Sequence, residues 1–83
     1  MTLEVVAVFD SAVDAYGRPF FVPHTGQAIR SFTDEVKNPE SDLSKHPGDF
    51  VLFHLSTFDE RVGRFAENTM PRVLIRASDI KPL

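Results

Sequence analysis

The chain reads as an α+β domain in which one short helix packs on a small, mostly antiparallel β-sheet of four to five strands. Three observations predict this. Leu3–Phe9 and Phe50–Phe58 are runs rich in β-branched and aromatic residues, the composition of strands. Between them Ala28, Ile29, Phe32 and Val36 recur at three- and four-residue spacing, which places them on one face of a helix. The stretch "DERVG", Asp59 to Gly63, then offers a glycine for a tight hairpin return.

Each element follows in turn. In "LEVVAVF" the residues Leu3, Val5, Ala7 and Phe9 share one face while Val6 and Val8 share the other, the pattern of a central strand covered on both sides. "DSAVDAYGRP" carries the residues of a loop. "FFVP", Phe20 to Pro23, is short and closed by proline, so it is an edge strand or an extended approach to the helix. The helix starts with Thr25 as its cap and ends at Asn38, because Pro39 disfavours helical geometry in the residue before it. Burial of Ile29, Phe32 and Val36 contributes roughly 1.5–3 kcal/mol each, far more than helix propensity. "PESDLSKHPGD" reads as a polar linker. In "FVLFHLSTF" one face takes Val51, Phe53 and Leu55, and the other Phe50, Leu52 and His54. "RFAEN" is a weak return strand, and "RVLIRAS", Arg72 to Ser78, is the last, with Val73, Ile75 and Ala77 facing one way. The order is β-(β)-α-β-β-β.

Length and composition narrow the function. Eighty-three residues hold one domain. A chain this short buries only roughly 60–65% of the surface of its unfolded form. Its stability is therefore modest, and pairing into a homodimer is the expectation. With no cysteine, disulfides and thiolate metal sites are excluded. No apolar run approaches the ~20 residues of a membrane span, and no basic region precedes the first apolar run, so the chain reads as soluble and unprocessed, with no membrane partner. The formal net charge of −3 argues against strong nucleic-acid binding while leaving room for a local basic patch.

No catalytic constellation emerges. His24, His46 and His54 have no metal-ligand spacing. A relaxase would need a histidine pair beside a nucleophilic tyrosine, and Tyr16, the single tyrosine, has no such pair. The adjacent carboxylates Asp34–Glu35 and Asp59–Glu60 do not face a shared site, as acid–base work requires. "TGQA" lacks the lysine of a phosphate-binding loop, and no nucleophile motif surrounds a serine. The expectation is a protein without enzymatic activity, metal or organic cofactor.

Two features point toward nucleic acid. Eight phenylalanines fall mainly on strands and the helix stripe, where core packing is the default; Phe20, Phe21, Phe58 and Phe65 are the ones that exposure would free for base stacking. Arg61 and Arg64 in the hairpin, with Arg72 and Arg76 two alternations apart on one face of the last strand, make the best candidate basic surface.

The ordered set "RPFF", "TGQAIRSFTDEV" and "SKHPGDFVLFHLSTFDE", closing on Gly63, resembles the small nonstructural protein of gokushovirus-type Microviridae, the single-stranded DNA phages. The matching pieces are an early D-x-x-A segment within Asp10 to Ala15, Pro19–Phe21, Ala28–Phe32, Leu43–Phe50 and Phe58–Gly63, so the resemblance runs from about residue 3 to 65. It implies a nonstructural protein of the host cell cytoplasm, absent from the mature virion and associated with viral single-stranded DNA synthesis or DNA binding. It brings no catalytic residues.

Among the matched positions Arg30 lacks an evident packing reason. It is a candidate DNA contact, although a structural role, pairing with Asp34 along the helix or reaching Asp49, is the preferred reading. Two functions follow. One is binding of single-stranded DNA to assist genome synthesis or its switch to packaging, through Arg30, Arg61, Arg64, Arg72 and Arg76. The other is an adaptor that binds the phage replication initiator or a host factor and touches no DNA.

Overall fold

The computed structural model describes residues 1–81. Two long strands form its spine: β1 (Thr2–Asp10) and β4 (Phe50–Asp59) pair antiparallel along their whole length, from Thr2 opposite Asp59 to Asp10 opposite Phe50. Short strands flank them in pairs. On the β1 side lie β2 (Ala15–Tyr16) at one end and β3 (Phe20–Val22) at the other. On the β4 side lie β5 (Arg64–Phe65) and β6 (Arg72–Arg76). The result is a six-stranded antiparallel sheet that is three or four strands wide at any level. The expected α+β class holds; the weak return strand expected in "RFAEN" is β5, and the one extra strand is the two-residue piece β2.

Helix α1 (Thr25–Lys37) lies on one face of this sheet. Its buried residues are Ala28, Phe32 and Val36, with Ile29 packed at the margin. They meet Val6, Val22, Leu52 and Ala77. The cap is His24, not Thr25: its backbone is extended and its Nδ1 accepts from the Gln27 amide at 3.3 Å. The polar linker is not structureless. Ser41 caps a single helical turn, α2 (Asp42–Lys45), through a 3.1 Å bond from the Leu43 amide, and a 3-10 turn at Pro47–Asp49 leads into β4.

Two bulges set which side chains face where. Val5 sits opposite Ser56 and Val6 opposite His54, so Leu55 is an extra residue in β4. Leu52 sits opposite Ile75 and Phe53 opposite Val73, so Leu74 is an extra residue in β6. An extra residue resets the alternation of everything beyond it. Beyond Leu55, Ser56 and Phe58 turn to the face away from the helix, while Thr57 turns to the helix side, where its hydroxyl meets Glu4 at 3.4 Å. Beyond Leu74, Ile75 turns to the core and Arg76 to the opposite face. Val73, Ile75 and Ala77 therefore do not share one direction, and neither do Arg72 and Arg76.

The hairpin after β4 closes as its glycine predicts. Gly63 has φ +69°, and its amide donates to the Asp59 carbonyl at 2.8 Å, while the Asp59 carboxylate accepts from the Arg61 amide at 2.9 Å. A Cβ at Gly63 would meet nothing, so the cost of Gly63→Ala is backbone strain alone. We expect a loss of about 1 kcal/mol, read as a fall in Tm of about 4–8 °C.

Candidate functional site

The helix covers one face of the sheet; among the described residues no element covers the other. Directly opposed residues share a face, so the pairings give this open face row by row. One end holds Tyr16, Phe9, Val51 and Arg76. Next come Ala7, Phe53 and Val73, then Phe21, Val5 and Ser56, and at the far end Leu3, Phe58 and Phe65. The expectation that β1 is covered on both sides is corrected. Val5 and Ala7 are buried, but by neighbouring aromatic side chains on the same surface, not by a second layer.

These aromatics form two clusters. Phe9, Tyr16 and Phe53 lie with ring centroids 4.8–6.1 Å apart, and Phe21, Phe58 and Phe65 with centroids 4.9–6.3 Å apart. Three of the six pairs meet edge-to-face, at 71–81°, and the other three are tilted at 44–58°, so the rings brace one another and none lies flat on its neighbour. Each cluster keeps a ring in water: Tyr16 is 43% exposed, Phe21 47% and Phe65 54%, with Val73 at 39% between them. Phe58, far from being core, is the hub of the second cluster, and it reaches this face only because of the Leu55 bulge. Phe20 points the other way, to the helix side, opposite Val6.

Charge is distributed unevenly between the faces. The strand carboxylates Glu4, Asp10 and Asp59 all fall on the helix side, opposite Thr57, Phe50 and Thr2. On the open face the strands contribute one formal charge, Arg76. The acidic total therefore does not describe this surface.

The candidate arginines do not form one patch. Arg72 pairs with His54 and Arg64 with Asp59, both on the helix side, and Arg61 lies in the hairpin turn. Arg76 alone stands beside the aromatic rows. Arg30 is exposed on α1, on the helix side of the sheet. Its preferred structural role is corrected: the one ion pair among the described residues is His54 Nε2 with Glu4 Oε1 at 2.7 Å, so Arg30 pairs with neither Asp34 nor Asp49. What ties the 47–49 turn to its surroundings is backbone, with the Ser11 amide and hydroxyl both donating to the Asp49 carbonyl at 2.8 and 3.2 Å.

The histidines stay apart. His24 caps the helix and His54 holds Glu4. Among the described residues no group of His, Cys, Asp or Glu is placed to hold a metal ion, and no helix is long and apolar enough to cross a membrane.

The model of the family described as Phage ORF5 protein matches residues 3–80. The chain belongs to that phage protein family. The match runs beyond Phe65, where the motif resemblance stops, and so takes in β6 and the 3-10 turn at Ala77–Asp79. No curated protein and no solved structure matches the chain.

Proposed function

We propose that this member of the family is a non-enzymatic phage accessory protein that binds single-stranded DNA on its open sheet face and assists genome synthesis or its switch to packaging. In this reading, which the resemblance of its motifs to the gokushovirus-type Microviridae supports, the protein works in the host cell cytoplasm, outside the virion. The supporting observation is the pair of half-exposed aromatic clusters on a sheet face to which the strands contribute no carboxylate. Every base has a flat face to lay on such a ring, at roughly 1–3 kcal/mol per stacked base, whatever its identity. The clusters sit about 15 Å apart along β4, from Phe53 to Phe58, at the usual rise of a strand. Bases stacked on one another lie only about 3.4 Å apart. The two clusters therefore suit two non-adjacent, splayed bases of a flexible strand and not the rigid stack of a duplex.

Affinity in this reading rests on stacking more than on phosphate contacts. With Arg76, or Arg76 and the hairpin's Arg61, engaged, a slope of about −0.7 per phosphate gives a loss of only about 3- to 7-fold between 50 and 200 mM salt. Fluorescence anisotropy of a labelled oligothymidylate at both salts tests this. Saturable binding with that moderate salt dependence supports the reading, while a flat titration of folded protein at both salts removes it. Arg76→Ala should weaken binding and reduce the slope by about 0.7, and Arg72→Ala, on the other face, should do neither.

A second copy is the rival occupant of the same face. Tyr16, Phe21 and Phe65 each leave on the order of 100 Å² of ring surface in water, which brings the patch to the size that marks interaction sites on soluble proteins. Light scattering during the titration separates the two. A dimer that DNA dissociates leaves the face to DNA, whereas a dimer that persists without binding DNA assigns the face to self-association.

A further inference from the structure

The helix side of the sheet carries a second feature, a cleft of about 600 Å³ between α1 and the exposed arm that bears β2. Val8, Phe32, Leu43 and Phe50 form its apolar floor, and Val13 and Phe20 of the arm form one wall. Val13 is 68% exposed and Phe20 38%, although both are large apolar groups beside a hydrophobic floor. The arm is held in place by the Gly17 amide, which donates to the Val8 carbonyl at 2.7 Å. The volume lies within the ~300–1,000 Å³ of clefts that enclose a ligand-sized group.

Two charged residues line the cleft, Asp10 and Glu35, and both are carboxylates. Neither forms an ion pair with a described residue. One Asp10 oxygen accepts from the Ala12 amide at 3.0 Å, and Glu35 stands on the exposed side of α1 next to the buried Val36. In the segment between Asp10 and Phe50 that supplies most of the lining, five further acidic residues (Asp14, Asp34, Glu40, Asp42 and Asp49) stand against four basic ones (Arg18, Arg30, Lys37 and Lys45).

We propose that this cleft is a docking site for a protein segment that inserts a bulky apolar side chain between flanking lysines or arginines. The apolar floor takes the anchor, and Asp10 and Glu35 take the cations at the rim. The assignment rests on charge complementarity: an acidic or neutral segment gains the same apolar burial but meets two unpaired carboxylates, and like-charge juxtaposition is strongly unfavourable. The cleft opens on the helix side of the sheet and the aromatic clusters on the other; the two share Tyr16, at the sheet edge, while the second cluster (Phe21, Phe58 and Phe65) stands apart from the cleft.

The chain contains no tryptophan, so a tryptophan-bearing peptide reports its own binding. The probes are a peptide with one Trp and one Leu on a helical face flanked by four lysines, and the same peptide with four glutamates. The cationic peptide should bind saturably with a blue-shifted emission, and the acidic one should bind more than about tenfold more weakly. Glu35→Lys, an exposed position, should weaken the cationic peptide by a similar factor while the circular dichroism spectrum stays native. Phe21→Ala with Phe65→Ala should leave peptide binding unchanged, which separates this site from the DNA face. Absence of binding by the cationic peptide, equal binding of both peptides, or unchanged binding by the Glu35→Lys protein would each overturn the proposal. So would an apolar dye that fills the cleft and is not displaced by the peptide.

Discussion

The double variant Phe21→Ala, Phe65→Ala is expected to lose about 5- to 150-fold in affinity for single-stranded DNA while remaining folded. The range follows from one stacked base at roughly 1–3 kcal/mol. Both rings are about half exposed, so their removal opens no closed cavity. What folding loses is ring contact with Phe58, edge-to-face from Phe21 and tilted from Phe65, worth about 0.5–1.5 kcal/mol for each pair. The variant should therefore melt cooperatively, at a somewhat lower temperature, with a native far-ultraviolet spectrum. Anisotropy titrations of the two proteins side by side make the comparison. Equal affinities would show that the second cluster does not contact DNA.

The largest effect on stability is expected at Phe32→Ala. Phe32 is the buried centre of the helix stripe and also floors the cleft beside α1. Truncating such a ring costs about 3–5 kcal/mol, the lost burial plus the cavity it leaves. An 83-residue chain has about 4–12 kcal/mol in total, at 0.05–0.15 kcal/mol per residue. The substitution thus removes between a quarter and all of the stability, and Tm should fall by at least about 12 °C, if a transition survives. Urea denaturation followed by circular dichroism measures it. A midpoint within error of wild type would mean that α1 does not anchor the core.

These two predictions mark what was legible in the sequence and what was not. The helix was legible because its stripe is periodic and each apolar position has the same job; Phe32 and Val36 are buried as their spacing requires. The two long strands were legible from composition, and the edge strand Phe20–Val22 from its closing proline. The cap was misassigned because His24 can accept through Nδ1 just as the Thr25 hydroxyl can, and only the backbone geometry decides between them. The turn at Asp42–Lys45 was missed because one turn is too short to show a period.

The functional face was hidden for a different reason. Strict alternation sends Phe58 to the helix side and puts Arg72 and Arg76 together, and both inferences fail at single inserted residues, Leu55 and Leu74. A bulge is a matter of register between strands, and Leu carries no local signature of it. The four phenylalanines singled out by their marginal positions held Phe21, Phe58 and Phe65, but neither Phe9 nor Phe53. Those two look like core residues until it is known that one face of the sheet has no second layer. Tyr16 has no mark of a stacking group in the sequence, because "DAYG" reads as loop until its pairing with Phe9 is seen.

The central claim, that the open aromatic face meets bases, has a reporter already in place. Tyr16 is the single tyrosine, there is no tryptophan, and its ring packs on Phe9 and Phe53 at the edge of the first cluster. The measurement is the intrinsic fluorescence of the wild-type protein during titration with unlabelled oligothymidylate at low salt, with duplex DNA of equal length as the comparison. Base stacking on the cluster predicts saturable quenching of Tyr16 by the single strand and little or none by the duplex. Emission that stays constant while anisotropy reports binding, or equal quenching by both nucleic acids, would contradict the account and move the DNA contact off this face.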